Sequence, residues 1–173
     1  MSILKFLGLE TEPPPSGTPE TETVRKITDA LDRMDFDQAR YVAAFAYVLA
    51  RTARADLHIS ELETRAMERI VVEHSGLPEE QAILVVQIAK TQNKLFGATE
   101  DFVVTREFGS IATREQKLTI LDCLFSVAAA EGLISMEEDN VIRQIASELK
   151  LDHRDFIALR SKHRDHLSIL RKR

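Results

Sequence analysis

The sequence predicts an all-α fold, a compact bundle of about seven to eight helices with an internal pseudo-two-fold repeat. Three observations carry that prediction. Apolar residues recur at helical spacing from Val24 to Leu170, with no convincing period of two. No hairpin dipeptide is flanked by β-branched runs. And one stretch occurs twice: Ala55-Asp56-Leu57-His58-Ile59-Ser60-Glu61-Leu62-Glu63 returns as Ala130-Glu131-Gly132-Leu133-Ile134-Ser135-Met136-Glu137-Glu138. Both copies read acid, two residues, Ile, Ser, two residues, Glu. Both sit between an apolar helical run and a second amphipathic helix.

The elements follow in order. Residues 1–19 form an apolar N-terminal segment and a linker. Ile3, Leu4, Phe6, Leu7 and Leu9 make the head apolar, and Pro13-Pro14-Pro15 removes backbone donors and favours extended geometry. The folded domain is expected over 20–173. Val24, Ile27, Leu31 and Met34 share one helix face. A run from Asp37 to Arg54 carries Val42, Phe45, Val48, Leu49 and Ala53. Ser60 opens the next helix with Glu63 three residues on, a capping-box spacing, and Leu62, Ala66, Met67, Ile70 and Val71 are its expected buried stripe. Gly76 ends it and Pro78 starts another, with Ile83, Val86 and Ile88, ending before Gly97.

Thr99 is expected to begin a shorter helix that runs through Phe108 and stops at Gly109. Thr113 with Gln116 caps the most apolar run, Leu118 to Ala130. Ser135 with Glu138 caps a helix with Val141, Ile142, Ile145 and Leu149 inward. Asp152 caps a final helix carrying Phe156, Leu159, Leu167 and Leu170. The central helix of each repeat is apolar almost all round, so the two are expected to be buried against each other with the other helices outside.

Composition narrows the function. The chain has 173 residues, enough for a sizeable core, and a net charge of -5, which argues against a dedicated nucleic-acid binder. Trp is absent and aromatics make up 6%, so the core must be aliphatic and Ala-rich. Cys123 is the only cysteine, among apolar neighbours, so it reads as a buried, inert thiol. There is no apolar run long enough for a membrane span, and the head is too short for a signal peptide. The cytoplasm is the expected compartment, with peripheral attachment at the inner membrane face through the head as one option. A partner groove and a second subunit, giving a homo-oligomer, are the others.

The chemistry-bearing constellation is the repeated loop. Asp56, Glu63, Glu131 and Glu138 occupy equivalent places and are the candidate metal ligands. Glu63 and Glu138 have a simpler reading as capping carboxylates. Asp56 and Glu131 are harder to explain. Each follows an apolar helix, where the dipole disfavours an acid by roughly 0.3–1 kcal/mol. A compensating positive group is implied: an Arg, the next helix's N-terminus, or a cation. Oxygen ligands alone would suit magnesium or calcium rather than zinc. The loop is not an EF-hand, lacking Asp at alternating positions.

The duplicated Ala-Asp-x-x-Ile-Ser-x-x-Glu layout resembles the TerB-like family, named for tellurite resistance, whose usual loop reads Ala-Asp-Gly-x-Ile-Ser-x-x-Glu. Copy two keeps Gly132 but has Glu131 for Asp; copy one keeps Asp56 but has Leu57 for Gly. The resemblance covers residues 39–157. It implies a helical pseudo-symmetric fold and an acidic face suspected of binding divalent cations, and it implies no established enzymatic reaction. Members occur in stress-response systems, and a related domain precedes a membrane-anchored J-domain co-chaperone.

Other candidates are weaker. His163 and His166 share a helix face at i, i+3, but Arg and Lys surround them and no Cys is near, so a solvated basic face is expected. His58, His74 and His153 lie singly at helix ends. Asp122 interrupts the most apolar helix, at the position equivalent to Tyr47, and calls for a partner such as a Tyr hydroxyl or an Arg. The basic stretch from Arg160 to Arg173 could dock an acidic partner or a lipid surface. No nucleophile–base pair or phosphate-binding glycine loop is present. The expected function is therefore a non-enzymatic binding module, with a divalent cation or an unidentified protein partner at the acidic face. The alternative is a metal-dependent hydrolase using paired carboxylates, which would need a pocket joining the two loops.

Overall fold

Every residue from Tyr41 to Ala50 is buried. A helix apolar on all sides has to be enclosed by others, and that requirement organises the molecule. The computed structural model describes residues 19–53, 61–95, 101–130 and 132–170. These residues form α1 (Pro19–Asp32), α2 (Phe36–Ala53), α3 (Glu61–His74), α4 (Glu79–Leu95), α5 (Asp101–Ile111), α6 (Arg114–Ala130), α7 (Met136–Glu148) and α8 (His153–Lys162). Two 3-10 turns follow, Arg164–His166 and Ser168–Leu170. The all-α expectation holds, and the described residues contain no strand. A single parallel bridge joins Ile134 to Leu167.

Helix α2 is the hub. It packs against α1, α4, α5, α6 and α7. Helix α6 touches α2, α3, α7 and α8. The second helix of each sequence copy thus lies against the first helix of the other, α3 on α6 and α7 on α2, and the two first helices touch. Phe45, Phe108 and Phe125 are the largest fully enclosed side chains. Phe45 meets Phe108 edge-on at 6.3 Å, and Tyr41 lies 5.5 Å from Phe108. Aromatic pairs of this kind add to the burial of their area.

Local signals set most boundaries. Asp35 Oδ1 accepts from the Gln38 amide and caps α2. Thr113 and Gln116 exchange side-chain-to-backbone bonds at 3.2 and 2.8 Å, the capping box expected before α6. Gly76 has φ +71, the left-handed geometry of a helix terminator. The Pro78 carbonyl accepts from the Ala82 amide, so Pro78 stands at the mouth of α4.

Four expectations need correction. Helix α5 does not stop at Gly109; it continues to Ile111. Gly109 lies beside the end of α7, where an added Cβ would meet Leu149 at an ordinary contact distance of 3.6 Å, so neither its backbone nor its surroundings make it a stop. Leu62 is not part of the α3 stripe. It is 80% exposed, while Met67, Ile70 and Val71 are buried. Asp152 stands at the N-cap of α8 but makes no side-chain cap bond. The last helix ends at Lys162 rather than running to Leu170, because the chain turns to bring buried Leu167 against Ile134.

Thr99 and residues 1–18 lie outside the described residues. No helix among the described residues is long and apolar enough to cross a membrane.

Candidate acidic loop

The second copy of the repeated loop lies between α6 and α7, and its residues from Gly132 to Glu138 are held at four points. Gly132 has φ +121, a conformation that side chains rarely adopt, so glycine is required there. The Gly132 carbonyl accepts from His166 Nδ1 at 2.9 Å. Ile134 donates its amide to the His166 carbonyl and accepts from the Ser168 amide at 3.1 Å. Ser135 then caps α7: its hydroxyl accepts from the Glu138 amide at 3.1 Å, and Glu138 Oε2 accepts from the Ser135 amide at 2.7 Å. Both halves of the capping box are present, so Glu138 performs the capping role that its spacing implied.

One helical residue further on, Asp139 is 6% exposed. Arg160 of α8 grips it with two bonds, Nε to Oδ1 at 2.8 Å and Nη2 to Oδ2 at 2.9 Å. Arg143 approaches the same carboxylate at 3.8 Å. The Asp139 hydrogen bonds push the Arg160 guanidinium above its ordinary range, against the opposing effect of burial. A planar fork on a carboxylate is the geometry that Arg offers and Lys does not. The acid is thereby neutralised inside the protein.

Of the four expected ligand residues, Glu138 is the one whose side chain is described. Glu63 lies in α3, with its side chain outside the described residues, and Asp56 and Glu131 lie outside them too. Among the described residues, no group of three or more His, Cys, Asp or Glu is placed to share a metal ion.

Asp122 has its partners, but they are neither a Tyr hydroxyl nor an Arg. His163 Nε2 stands 3.5 Å from Oδ1, Lys162 Nζ 3.9 Å from Oδ1, and His74 Nδ1 3.7 Å from Oδ2. The carboxyl is held below its usual range. The polar contact with His163 is the largest cause. Burial opposes it, and the Lys162, His163 and His74 charges reinforce it. The two imidazoles approach different oxygens, which suits two separate contacts better than a shared ion. His163 is not part of a solvated basic face. Its ring stacks on Phe125 at 5.6 Å and 16°, and its buried Nε2 faces Asp122 Oδ1 at 3.5 Å. The i, i+3 spacing with His166 does not make a shared face because the helix ends at Lys162, before both, and of the two only His166 is exposed.

Two further features lack a strong sequence signal. Arg51 of α2 and Glu148 of α7 form an ion pair with each side chain 6% exposed, and Arg51 Nη1 also donates to Thr105 Oγ1 at 2.6 Å. A groove of about 430 Å³ is lined by Asp35, Asp37, Gln38, Arg40, Tyr41 and Gln116, and it includes no residue of either acidic loop. Cys123 is buried, as expected, and burial pushes its thiol up to about 12, with the Asp122 charge adding to the effect. It is not a reactive thiolate.

No curated protein and no solved structure matches the chain. A family model described as tellurite resistance protein TerB does match, over residues 42–161. That span runs from α2 into α8, includes both acidic loops and covers more than half of the 173 residues. The all-α bundle agrees with it, and the chain belongs to the TerB family.

Proposed function

We propose that this chain is a non-enzymatic binding module that receives a positively charged ligand, a divalent cation or a basic segment of a partner protein, at its acidic loops. One observation supports the reading above others: residues 132–138 of the second loop are tied down by their own hydrogen bonds. A positive-φ glycine, a capping box and two bridge hydrogen bonds set the backbone from Gly132 to Glu138. Rigid presentation lowers the ordering cost of binding. The residue just before this clamped segment is Glu131. The packing of α3 on α6 and of α7 on α2 sets the second helix of each sequence copy against the first helix of the other. Harder oxygen-seeking ions, magnesium or calcium, fit such carboxylates.

Calorimetric titration of the full chain with magnesium, calcium, manganese and zinc tests this. We expect heat with magnesium or calcium that is lost in Asp56→Asn and Glu131→Gln. Binding that survives both substitutions would overturn the loop as the site. If no metal binds, a Lys-rich peptide is the second probe, and no response to either overturns the proposal.

A further inference from the structure

The groove of about 430 Å³ lies where the start of α2 meets the end of α5 and the start of α6. It has the size that holds a small organic molecule, far more than a single ion needs. Its wall carries an excess of negative charge. Asp35 and Asp37 are exposed carboxylates of the lining. Asp35 Oδ1 accepts from the Gln38 amide, and among the described residues no side chain pairs with its second oxygen or with Asp37. Arg40 also lines the groove, but Glu107 pairs with it. The flanking charges cancel, Arg33 against Asp32 and Lys117 against Glu115. The N-termini of α2 and α6 each bring about half a positive charge. Two carboxylates outweigh them by roughly one negative charge.

Tyr41 is an independent sign of a ligand. It is 8% exposed, and its ring packs on Phe45 and Phe108. Yet it lines the groove, and among the described residues no hydrogen bond reaches its hydroxyl. A helical side chain leans back over the residues three and four before it. For Tyr41 these are Gln38 and Asp37, both in the groove wall. Burial, with an electrostatic contribution from Cys123, pushes the phenol up to about 12, so it stays neutral. A hydroxyl so enclosed gains from a ligand that can bond it.

We propose that this groove binds a small aliphatic amine, with its ammonium held by Asp35 and Asp37, its stem against Ile111 and a polar far end at the Tyr41 hydroxyl. Charge and shape select this class. An anion would meet two carboxylates that no cation of the wall offsets. A metal ion finds no three ligands placed to share it among the described residues, and the apolar side chain of Ile111 offers it nothing. An ammonium on a short apolar stem matches both halves of the lining. No residue of either acidic loop lines the groove, so this site stands apart from the cation reading of those loops.

Magnetic-resonance titration of the full chain with cadaverine decides it, with pentanediol and glutarate as the uncharged and anionic counterparts. We expect cadaverine alone to shift the side-chain amides of Gln38 and Gln116, and to do so saturably. Asp37→Asn should weaken binding roughly tenfold, and Tyr41→Phe by about threefold, while circular dichroism stays unchanged. Asp56→Asn and Glu131→Gln should leave cadaverine binding as it is. Equal binding of pentanediol overturns the proposal, as do unchanged affinity in Asp37→Asn and the absence of any saturable shift. So do shifts spread over the acidic surface that spare Gln38 and Gln116. Loss of binding in Asp56→Asn and Glu131→Gln, with Asp37→Asn unaffected, would assign the amine to the acidic loops instead. If Tyr41→Phe failed to fold, Asp37→Asn, at an exposed position, would carry the test. A lysine-containing peptide that binds where cadaverine does not would replace the small amine with a partner's side chain.

Discussion

Arg160 and Asp139 are joined by a two-pronged ion pair that ties α8 to the first turn of α7, immediately behind the second acidic loop. The pair explains how a carboxylate can sit 6% exposed next to Glu137 and Glu138. It also sets the loop's far wall, since α7 is the helix that Ser135 caps.

Cutting that pair should be costly. Asp139→Asn leaves the Arg160 charge, 17% exposed, without its carboxylate. Charged hydrogen bonds contribute about 1.5–3 kcal/mol, and we expect a loss of stability in that range by urea denaturation. Arg160→Lys should lose nearly as much, because an ammonium cannot span both oxygens. A silent Arg160→Lys would mean that the fork geometry is unimportant.

The pair between Arg51 and Glu148 is more deeply enclosed. Glu148→Ala should destabilise by about 3–5 kcal/mol, the usual penalty for stranding one member of a buried pair. The double replacement Arg51→Met, Glu148→Leu should recover most of that loss, since buried pairs give little net stability against packed apolar residues. Thermal or urea unfolding of the single and double variants makes the comparison. Equal losses in both would show that the polar network, including Thr105, is worth more than apolar packing there.

Much of this fold was legible because it rests on local rules. The caps at Thr113 and Ser135, the terminator at Gly76 and the enclosed run of α2 each follow from spacing alone. The misses share a physical origin. Gly109 reads as a stop, yet the helix continues through it to Ile111, beside Leu149, which is forty residues away in sequence. Leu167 and Leu170 continue a helical period, yet the partner of Leu167 is a backbone group in the loop before α7. Arg51 and Glu148 pair across 97 positions. Of the loop carboxylates, Glu138 was legible as a cap because capping is a three-residue affair. The partners of Asp122 were not, since His74 and His163 arrive on two other helix ends.

Asp122 makes stability depend on pH. Its folded carboxyl titrates below the ordinary value of 3.8, so the folded state favours the charged form. The resulting stability is present above the unfolded value and is lost as pH falls through the folded one. The gap in stability between the wild type and Asp122→Asn should hold steady near pH 5 and shrink from about pH 4 downward. Chemical denaturation of both proteins from about pH 5 to pH 2 measures it. A gap that instead widens on acidification would show that His163, Lys162 and His74 do not stabilise the carboxylate.

Glu138 separates capping from ligand binding. As a cap, it needs one oxygen, Oε2, which accepts from the Ser135 amide at 2.7 Å. Glu138→Gln keeps a carbonyl oxygen for that bond, so it should leave the melting temperature almost unchanged. Glu138→Ala removes the bond and should cost about 0.5–2 kcal/mol, as loss of a cap does. A cation at the loop would respond differently. Magnesium or calcium depends on the negative charge, which Gln lacks as fully as Ala does. Scanning calorimetry with and without each ion therefore gives two distinguishable patterns. If Glu138 only caps, ion-induced stabilisation persists in both variants and the Ala protein alone melts early. If Glu138 also ligates, ion-induced stabilisation disappears in both variants, including the Gln protein whose ion-free melting is intact. The second pattern would make the carboxylate a shared element, one oxygen holding the helix and the other facing the ion.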